Sequence, residues 1–189
     1  MNIHPIFLLL GFWYIFPAYF ANGFAVFAKF IKFRHSIDGE RTLRDGRPLF
    51  GPGKTWEGFL IGLVSGSLFG ILLWLVAPFL HSLIIQYLIL PPELIPIVFL
   101  SVPLVILVSL GALVGDLIGS FIKRRLNIAR GRPAPFLDQL DFLIMAIIFG
   151  ALVIPLPLIL MLFLIIVTPI IHLLANIIGY VLRLKREPW

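Results

Sequence analysis

The 189-residue sequence contains no cysteine, and only 13% of its residues are charged. Without cysteine the chain forms neither disulfides nor thiolate metal sites, and its four histidines are too dispersed to suggest a metal site. Soluble domains carry about 25% charged residues, whereas 60% of this chain is hydrophobic and its mean hydropathy is +1.08. Such a chain has too little polar surface to stay in water. We therefore expect most of it to face lipid.

Long apolar runs dominate the chain, and a membrane helix needs about 20 such residues. The first run contains no Lys or Arg, which a signal peptide would carry at its start, so we expect a retained membrane helix. Pro78, His81 and Gln86 suggest that the second helix ends early, while Pro155 and Pro157 divide the last apolar stretch. Five spans are predicted, over residues 3–28, 59–79, 94–115, 139–156 and 158–182.

The basic residues fall into three blocks, and these blocks decide the predicted topology. They are Lys29, Lys32, Arg34, Arg41, Arg44, Arg47 and Lys54; then Lys123, Arg124, Arg125, Arg130 and Arg132; and finally Arg183, Lys185 and Arg186. Lys and Arg accumulate on the cytoplasmic side of membranes. With five spans all three blocks share one face, which places the N-terminus outside and the C-terminus in the cytoplasm. The predicted fold is all-α: one multi-pass plasma-membrane domain, residues 1–189, with cytoplasmic loops 29–58 and 116–138.

The first loop contains the stretch GPGKTWEG at residues 51–58. It is not a P-loop, because Pro48 stands where the first glycine is needed and no strand precedes it. Gly51 and Gly53 would let the backbone approach a phosphate, Lys54 would add a charge, and Thr55 would cap the next helix. Alternatively, the stretch is an interfacial turn whose lysine extends to the lipid headgroups.

The second loop brings together three acids and several bases. Asp138 and Asp141 are three residues apart and would share one helix face, and Asp116 follows a span. Such acids at the edge of a bundle are costly unless paired or metal-bound, and they suit magnesium. The alternative is that Asp138 is a helix N-cap and Asp141 pairs with an arginine. The bases between them either bind phosphates or fix topology and bind anionic lipids.

Taken together, the two loops resemble the phosphatidate cytidylyltransferase (CDP-diacylglycerol synthase) family. GPGKTWEG is similar to that family's S-P-K-K-T-W-E-G; GDLIGSFIKR at 115–124 and DQLD at 138–141 are similar to its G-D-x-x-x-S-x-x-K-R and D-R-x-D. The longer stretch DGRPLFGPGKTWEG is most similar to the archaeal branch, the CDP-archaeol synthases. The matching positions are Lys54, Thr55, Trp56, Glu57, Asp116, Ser120, Lys123, Arg124, Asp138 and Asp141. One expected acid is missing, because Ala129 and Arg130 replace a Lys-Asp pair.

The resemblance implies a reaction and a set of site residues. A di-geranylgeranyl glycerol phosphate would attack the α-phosphorus of CTP, releasing pyrophosphate, with Mg²⁺ as cofactor. Catalytic roles are predicted for Asp138, Asp141 and Lys123, and metal ligation for Asp116, Asp138 and Asp141. Nucleotide binding is predicted for Gly51, Gly53, Lys54, Thr55, Lys123, Arg124, Arg130 and Arg132. The expected partners are CTP, the lipid phosphate and the bilayer, with no nucleic acid; Asn22 and Asp45 are candidate contacts for cytosine.

Two other functions remain open from the residues alone. A CTP-dependent polyprenol kinase would use the same nucleotide but would transfer its γ-phosphoryl group and release CDP. A small transporter would place its polar residues near the bilayer midplane. Only Asn22 and Gly23 are candidates for such a position, because the acids lie at the inner edge of the predicted bundle.

Overall fold

The computed structural model describes residues 4–183, and its regular structure is helical. The α-helices are α1 (Leu9–Phe24), α2 (Trp56–Tyr87), α3 (Ile95–Val98), α4 (Val102–Arg125), α5 (Leu137–Gly150) and α6 (Leu158–Val181). Short 3-10 segments cover Pro5–Leu8, Ala25–Phe30 and Pro92–Leu94. Within residues 4–183 strand-like pairing is limited to two isolated bridges, Ser36 with Thr55 and Thr42 with Pro48. The predicted all-α class is confirmed.

In the described part of the chain, four helical stretches are long and apolar enough to cross a membrane: Pro5–Phe30, Trp56–Tyr87, Val102–Arg125 and Leu158–Val181. They correspond to the first, second, third and fifth predicted spans. The fourth predicted span, 139–156, overlaps α5, which has 14 residues and is therefore about 21 Å long. That is shorter than the hydrocarbon core of about 30 Å. A membrane protein with four spanning candidates is confirmed, and the fifth crossing stays a prediction.

Helix α2 continues beyond the predicted end of its span at residue 79. It runs unbroken through Pro78 to Tyr87. A proline removes one backbone hydrogen bond, but apolar membrane helices tolerate this where neighbouring groups compensate. His81 packs against Phe99, with ring centroids 4.9 Å apart. This part of α2 therefore belongs to the helix rather than to a separate segment.

Helix α4 also extends beyond its predicted end, and this changes the position of the candidate site. The charged residues after Gly115 suggested a loop starting at 116, but the helix continues to Arg125. Basic residues in a last turn are favourable because the carboxyl end of a helix carries partial negative charge. Asp116, Ser120 and Lys123 therefore lie on one helical face, at positions i, i+4 and i+7.

Glycines allow the helices around α4 to approach closely. A Cβ added at Gly66 of α2 would lie 2.6 Å from the carbonyl oxygen of Pro17 and 2.6 Å from Oγ of Ser109. One added at Gly111 of α4 would lie 2.5 Å from the carbonyl oxygen of Met145 on α5. Half of the apolar stretch of α4 is buried, against 17% for α6. Helix α4 is thus the central helix, packed on α1, α2 and α5.

The loop between α1 and α2 is organised around Asp38, which is only 5% exposed. Its carboxylate accepts hydrogen bonds from the Ser36 hydroxyl at 2.5 Å and the Glu40 amide at 3.1 Å. It also accepts from the amides of Phe50 and Gly51, both at 2.9 Å. One buried carboxylate thereby holds the start of the GPGKT turn against the beginning of the loop.

These contacts set the acid–base behaviour of Asp38. Burial raises the pKa of its carboxyl, but the hydrogen bonds outweigh that effect and lower the pKa to about 2, from an ordinary 3.8. A carboxyl whose pKa is lowered by folding stabilises the fold when ionised. The contribution is complete above pH 3.8 and is lost as the pH falls through about 2.

The glycine packing predicts that Gly66→Ala destabilises the protein, because the new methyl group would collide with backbone on α1. Overpacking of this kind costs about 1–3 kcal/mol. Gly23→Ala is the matched control, since a Cβ there has nothing within 4 Å. Thermal unfolding in detergent should show a lower midpoint for Gly66→Ala and no decrease for Gly23→Ala. Equal midpoints for the two variants would contradict the close helix contact.

The loop structure predicts that Asp38→Asn loosens residues 48–56. Hydrogen bonds to a charged group contribute about 1.5–3 kcal/mol, so amide exchange there should accelerate by about tenfold or more. Hydrogen-exchange mass spectrometry at neutral pH measures this, with the nearby exposed Glu40→Gln as control. In the wild type the protection, corrected for intrinsic exchange, should fall between pH 3.8 and about 2; in Asp38→Asn it should not. Identical exchange in both proteins would refute the assignment.

Candidate active site

The GPGKT turn places Lys54 at the start of α2. Gly51 has φ +98°, a conformation that side-chain-bearing residues rarely adopt. The amide of Lys54 donates to the carbonyl of Gly51 at 3.1 Å, which closes the turn. Thr55 then accepts a hydrogen bond from the Gly58 amide at 3.2 Å and is the N-cap of α2, as predicted. The turn therefore holds the Lys54 side chain in a fixed direction.

Lys54 forms an ion pair with Asp116 on α4. Nζ lies 2.5 Å from Oδ2, and both side chains are about one-quarter exposed, at 26% and 27%. These residues are 62 positions apart in the sequence. The pair joins the first loop to the helix that carries the second motif, which brings the two predicted motifs into one site.

A second ion pair joins Lys123 on α4 to Asp138 on α5. Nζ of Lys123 lies 2.6 Å from Oδ1 of Asp138, and the other carboxylate oxygen accepts the Ala134 amide at 2.9 Å. Asp138 is not the N-cap of α5, because Phe136 occupies that position and Asp138 lies in the first turn. The cap interpretation of Asp138 is therefore wrong, and its carboxylate is available to a cationic partner.

Asp141 lies between the two ion pairs. Its carboxylate packs directly against Gly119 of α4 and accepts the Phe142 amide at 2.6 Å. The negative charges of Asp141 and Asp116 repel each other, whereas the positive charges of Lys123 and Lys54 attract the Asp141 carboxylate. Asp141 thus joins the two pairs electrostatically, which does not match the alternative of an arginine partner.

A cavity of about 290 Å³ lies beside Lys54 and Asp116. Gly53, Thr55 and Arg130 also line it. A Cβ added at Gly53 would lie 3.3 Å from Nε of Arg130, so the guanidinium covers the backbone of the GPGKT turn. Both loops thereby contribute a cation to one cavity.

Apart from Asn22, the other predicted residues do not line this cavity. Ser120 is buried on α4, and Arg132 is exposed. Arg124 lies in the last turn of α4, and within residues 4–183 its Nε is buried without a hydrogen-bond partner. Trp56 is half exposed, and Glu57 accepts the His35 amide at 2.9 Å. The structure thus gathers Lys54, Gly53, Thr55, Asp116 and Arg130 around the cavity.

Asp45, a candidate contact for cytosine, instead belongs to a clasp between the loops. Its carboxylate accepts from NH1 of Arg125 at 2.7 and 2.8 Å, and Arg125 also donates to the carbonyl of Pro48 at 2.5 Å. NH1 of Arg47 in turn donates a hydrogen bond to the carbonyl of Arg125 at 2.6 Å. This clasp ties the first loop to the end of α4, and no residue spacing in the sequence indicated it.

Asn22, a predicted candidate, and three residues outside the predicted set also belong to the site or support it. Asn22, Lys29 and Arg34 line the cavity, and Asp38 holds the turn beside it. Asn22 was a candidate for cytosine from its position in an apolar span. The other three gave no sequence signal, because a single Asp or Arg in a charged loop is ordinary.

The donor set fits a magnesium ion only in part. Among residues 4–183 no group of three or more Asp, Glu, His or Cys side chains is close enough to hold a metal. Asp116 and Asp141 are nevertheless near enough to repel each other. Magnesium is commonly held by one or two carboxylates, together with substrate phosphates and water. The residues present suit an ion that arrives with a nucleotide rather than an all-protein cage.

Comparison with known proteins shows which family the chain resembles. The family model described as CarS-like, CDP-archaeol synthase, matches residues 4–189. The CDP-archaeol synthase of Pyrococcus horikoshii is 46% identical over 96% of this chain and 97% of its own length. That of Pyrobaculum arsenaticum is 44% identical over 96% and 99%, respectively.

A solved structure agrees with the sequence relatives. It is described as an intramembrane enzyme for archaeal membrane lipid biosynthesis and is 36% identical, with a TM-score of 0.68. The match covers 90% of this chain and 94% of that one. The resemblance seen in the two loop motifs is therefore confirmed, and the chain belongs to the CarS-like, CDP-archaeol synthase family.

Proposed function

We propose that this protein transfers CMP from CTP to a di-geranylgeranyl glycerol phosphate and releases pyrophosphate, producing a CDP-activated lipid for membrane phospholipid synthesis. The observation that carries the proposal is the meeting of Lys54 and Arg130, from two separate loops, beside the carboxylate of Asp116. Relatives that match nearly the whole chain are named CDP-archaeol synthases. A nucleotidyl transfer at the membrane surface needs such a mixture of acids and bases, because phosphate oxygens and their counter-ions must both be held.

The reaction balances without a covalent enzyme intermediate. An oxygen of the lipid phosphate forms a bond to the α-phosphorus of CTP. The bond from that phosphorus to the bridging oxygen breaks, and its electron pair leaves with pyrophosphate. The protein's contribution is to position the two phosphates and to neutralise charge.

The two lysines are held ready by their carboxylate partners. Lys54 would bind the triphosphate beside Arg130 and the Gly51–Gly53 backbone, while Lys123 would act from the neighbouring ion pair with Asp138. Arg124, whose buried Nε has no hydrogen-bond partner among residues 4–183, and Arg132 are further candidates for phosphate contacts. When the triphosphate binds, its oxygens replace the carboxylate as the partner of the lysine. The ammonium group is therefore never left without an anionic partner.

Asp116, Asp138 and Asp141 are the residues that would hold magnesium. Asp116 lines the cavity and is electrostatically coupled to Asp141, and Asp138 would join them once its lysine turns to a phosphate. Bound there, the ion would neutralise charge on the triphosphate.

We also propose that the chain crosses the membrane five times as a single domain, with its N-terminus outside. The short helix α5 would be the fourth crossing. This arrangement places both loops in the cytoplasm, where CTP is found, and the protein in the plasma membrane. Of the C-terminal basic block, Lys185 and Arg186 lie outside the described residues.

The ion pair of Asp138 with Lys123 predicts that Asp138→Asn reduces turnover by about 100-fold or more, as loss of one group that stabilises the reacting charges typically does. Purified protein would receive CTP, magnesium and the lipid phosphate, and pyrophosphate and CMP-bearing lipid would be measured. Glu93→Gln, an exposed acid between α2 and α4, is the matched control and should retain activity. Full activity in Asp138→Asn would remove this residue from the site. Release of CDP with a phosphorylated lipid would replace the proposed reaction with that of a polyprenol kinase.

The topology predicts opposite labelling of two single-cysteine variants, which the cysteine-free chain makes possible. Arg44→Cys in the first loop and Glu93→Cys between α2 and α4 both replace exposed residues. A membrane-impermeant maleimide should label Glu93→Cys in intact cells and Arg44→Cys only after permeabilisation. Labelling of both from the same side would contradict the proposed arrangement.

A further inference from the structure

The segment at the end of α1 has the composition of a membrane boundary. It reads FAVFAKFIKFR over residues 24–34 and alternates aromatic with basic residues. Phe30 and Phe33 are 70% and 74% exposed, which suits contact with lipid rather than with water. Aromatic rings at an interface with lysines extending past them are typical of a membrane boundary.

Two basic residues of this segment, Lys29 and Arg34, line the cavity of the candidate site. Lys54 and Arg130 line it as well, but they come from the GPGKT turn and the second loop. The ionisable residues of the lining are thus four cations and one carboxylate, Asp116. A cavity with this composition attracts more than one phosphate group.

Part of the cavity wall is apolar. Val26, Phe59 and Leu117 line it beside Asn22 of α1, and Val26 is 47% exposed. Asn22 lies about two turns before Lys29 along α1 and its 3-10 extension. An apolar wall with one amide below a cationic rim suits a molecule whose phosphate is attached to an apolar body.

We propose that Arg34 and Lys29 form the binding site for the phosphomonoester of the lipid acceptor, and that Asn22 contacts the oxygens that link this phosphate to the tails. The inference rests on the proposed function and assigns its second substrate. Lys54 and Arg130, on loops outside the headgroup segment, hold the nucleotide. The acceptor phosphate and the triphosphate thus lie in one cavity, and each is bound by cations from a different segment of the chain.

The matched control is Lys32, which belongs to the same segment. Its Nζ lies 5.7 Å from the centre of the Phe33 ring, and it is not among the residues that line the cavity. If Arg34 and Lys29 served only to attract anionic lipid surfaces, Lys32 would do the same. If Arg34 and Lys29 form a specific phosphate site, replacing either of them weakens binding of the lipid phosphate, whereas replacing Lys32 does not.

The experiment measures steady-state kinetics of the full chain in neutral-lipid nanodiscs, with CTP and the lipid phosphate varied separately. Arg34→Ala should raise the KM for the lipid phosphate about tenfold or more, the effect of one lost charge-assisted hydrogen bond. The KM for CTP should change less than about twofold, because Lys54 and Arg130 rather than Arg34 hold the triphosphate in this assignment. Arg34→Lys should recover part of the loss, and Lys32→Ala should match the wild type.

Each other outcome would overturn the assignment. A raised KM for CTP would place Arg34 on the nucleotide. Equal effects of Lys32→Ala and Arg34→Ala would indicate general attraction to the membrane. An unchanged KM for the lipid in both Arg34→Ala and Lys29→Ala would exclude these cations from the site. Failure of the wild type to form CMP-lipid would refute the proposed function itself, and binding of the lipid phosphate without CTP, compared between wild type and Arg34→Ala, would still test the site.

Discussion

Charge placed at the edge of an apolar helix bundle is the constraint on which the site depends. An isolated carboxylate or ammonium there is costly, because the surroundings solvate it poorly. The ion pairs of Lys54 with Asp116 and of Lys123 with Asp138 reduce that cost, at N–O distances of 2.5 and 2.6 Å. They also join segments that are far apart in the chain. The same two contacts therefore make the charged residues tolerable and assemble the site.

The ion pairs have a consequence for the reaction. Each lysine already has an anionic partner, so in the proposed reaction a triphosphate would replace one set of oxygens with another instead of meeting bare cations. The carboxylate released in this exchange would then be available to the proposed metal ion. The small residues of α4 support this arrangement, because Gly119 lets the Asp141 carboxylate lie between the pairs. A side chain at that position would displace it.

The sequence predicted the chemistry better than it predicted the helix ends. Segregated basic blocks and ordered motifs identified Lys54, Asp116, Lys123 and Asp138 as one group, and these residues do form two linked pairs. Hydropathy placed the end of the third span at Gly115, because charge normally ends an apolar run, but α4 continues to Arg125. The role of Asp38 was not predicted, since its hydrogen bonds to Phe50 and Gly51 span 12 and 13 residues of loop. Contacts of this kind arise only from the folded loop.

The position of the cavity addresses a difficulty peculiar to this kind of chemistry. A triphosphate is soluble in water, while the acceptor's tails stay in the bilayer, so the two reactants share only the headgroup layer. The cavity is lined by the end of α1 with its 3-10 extension and by the start of α2, and both loops add cations to its lining. Its apolar wall lies on the helix side. The clasp of Arg125 with Asp45 and Pro48 fixes the first loop over this boundary. The position of the cavity at the helix ends therefore follows from the fold, because each loop is held to a helix end by charge and hydrogen bonding.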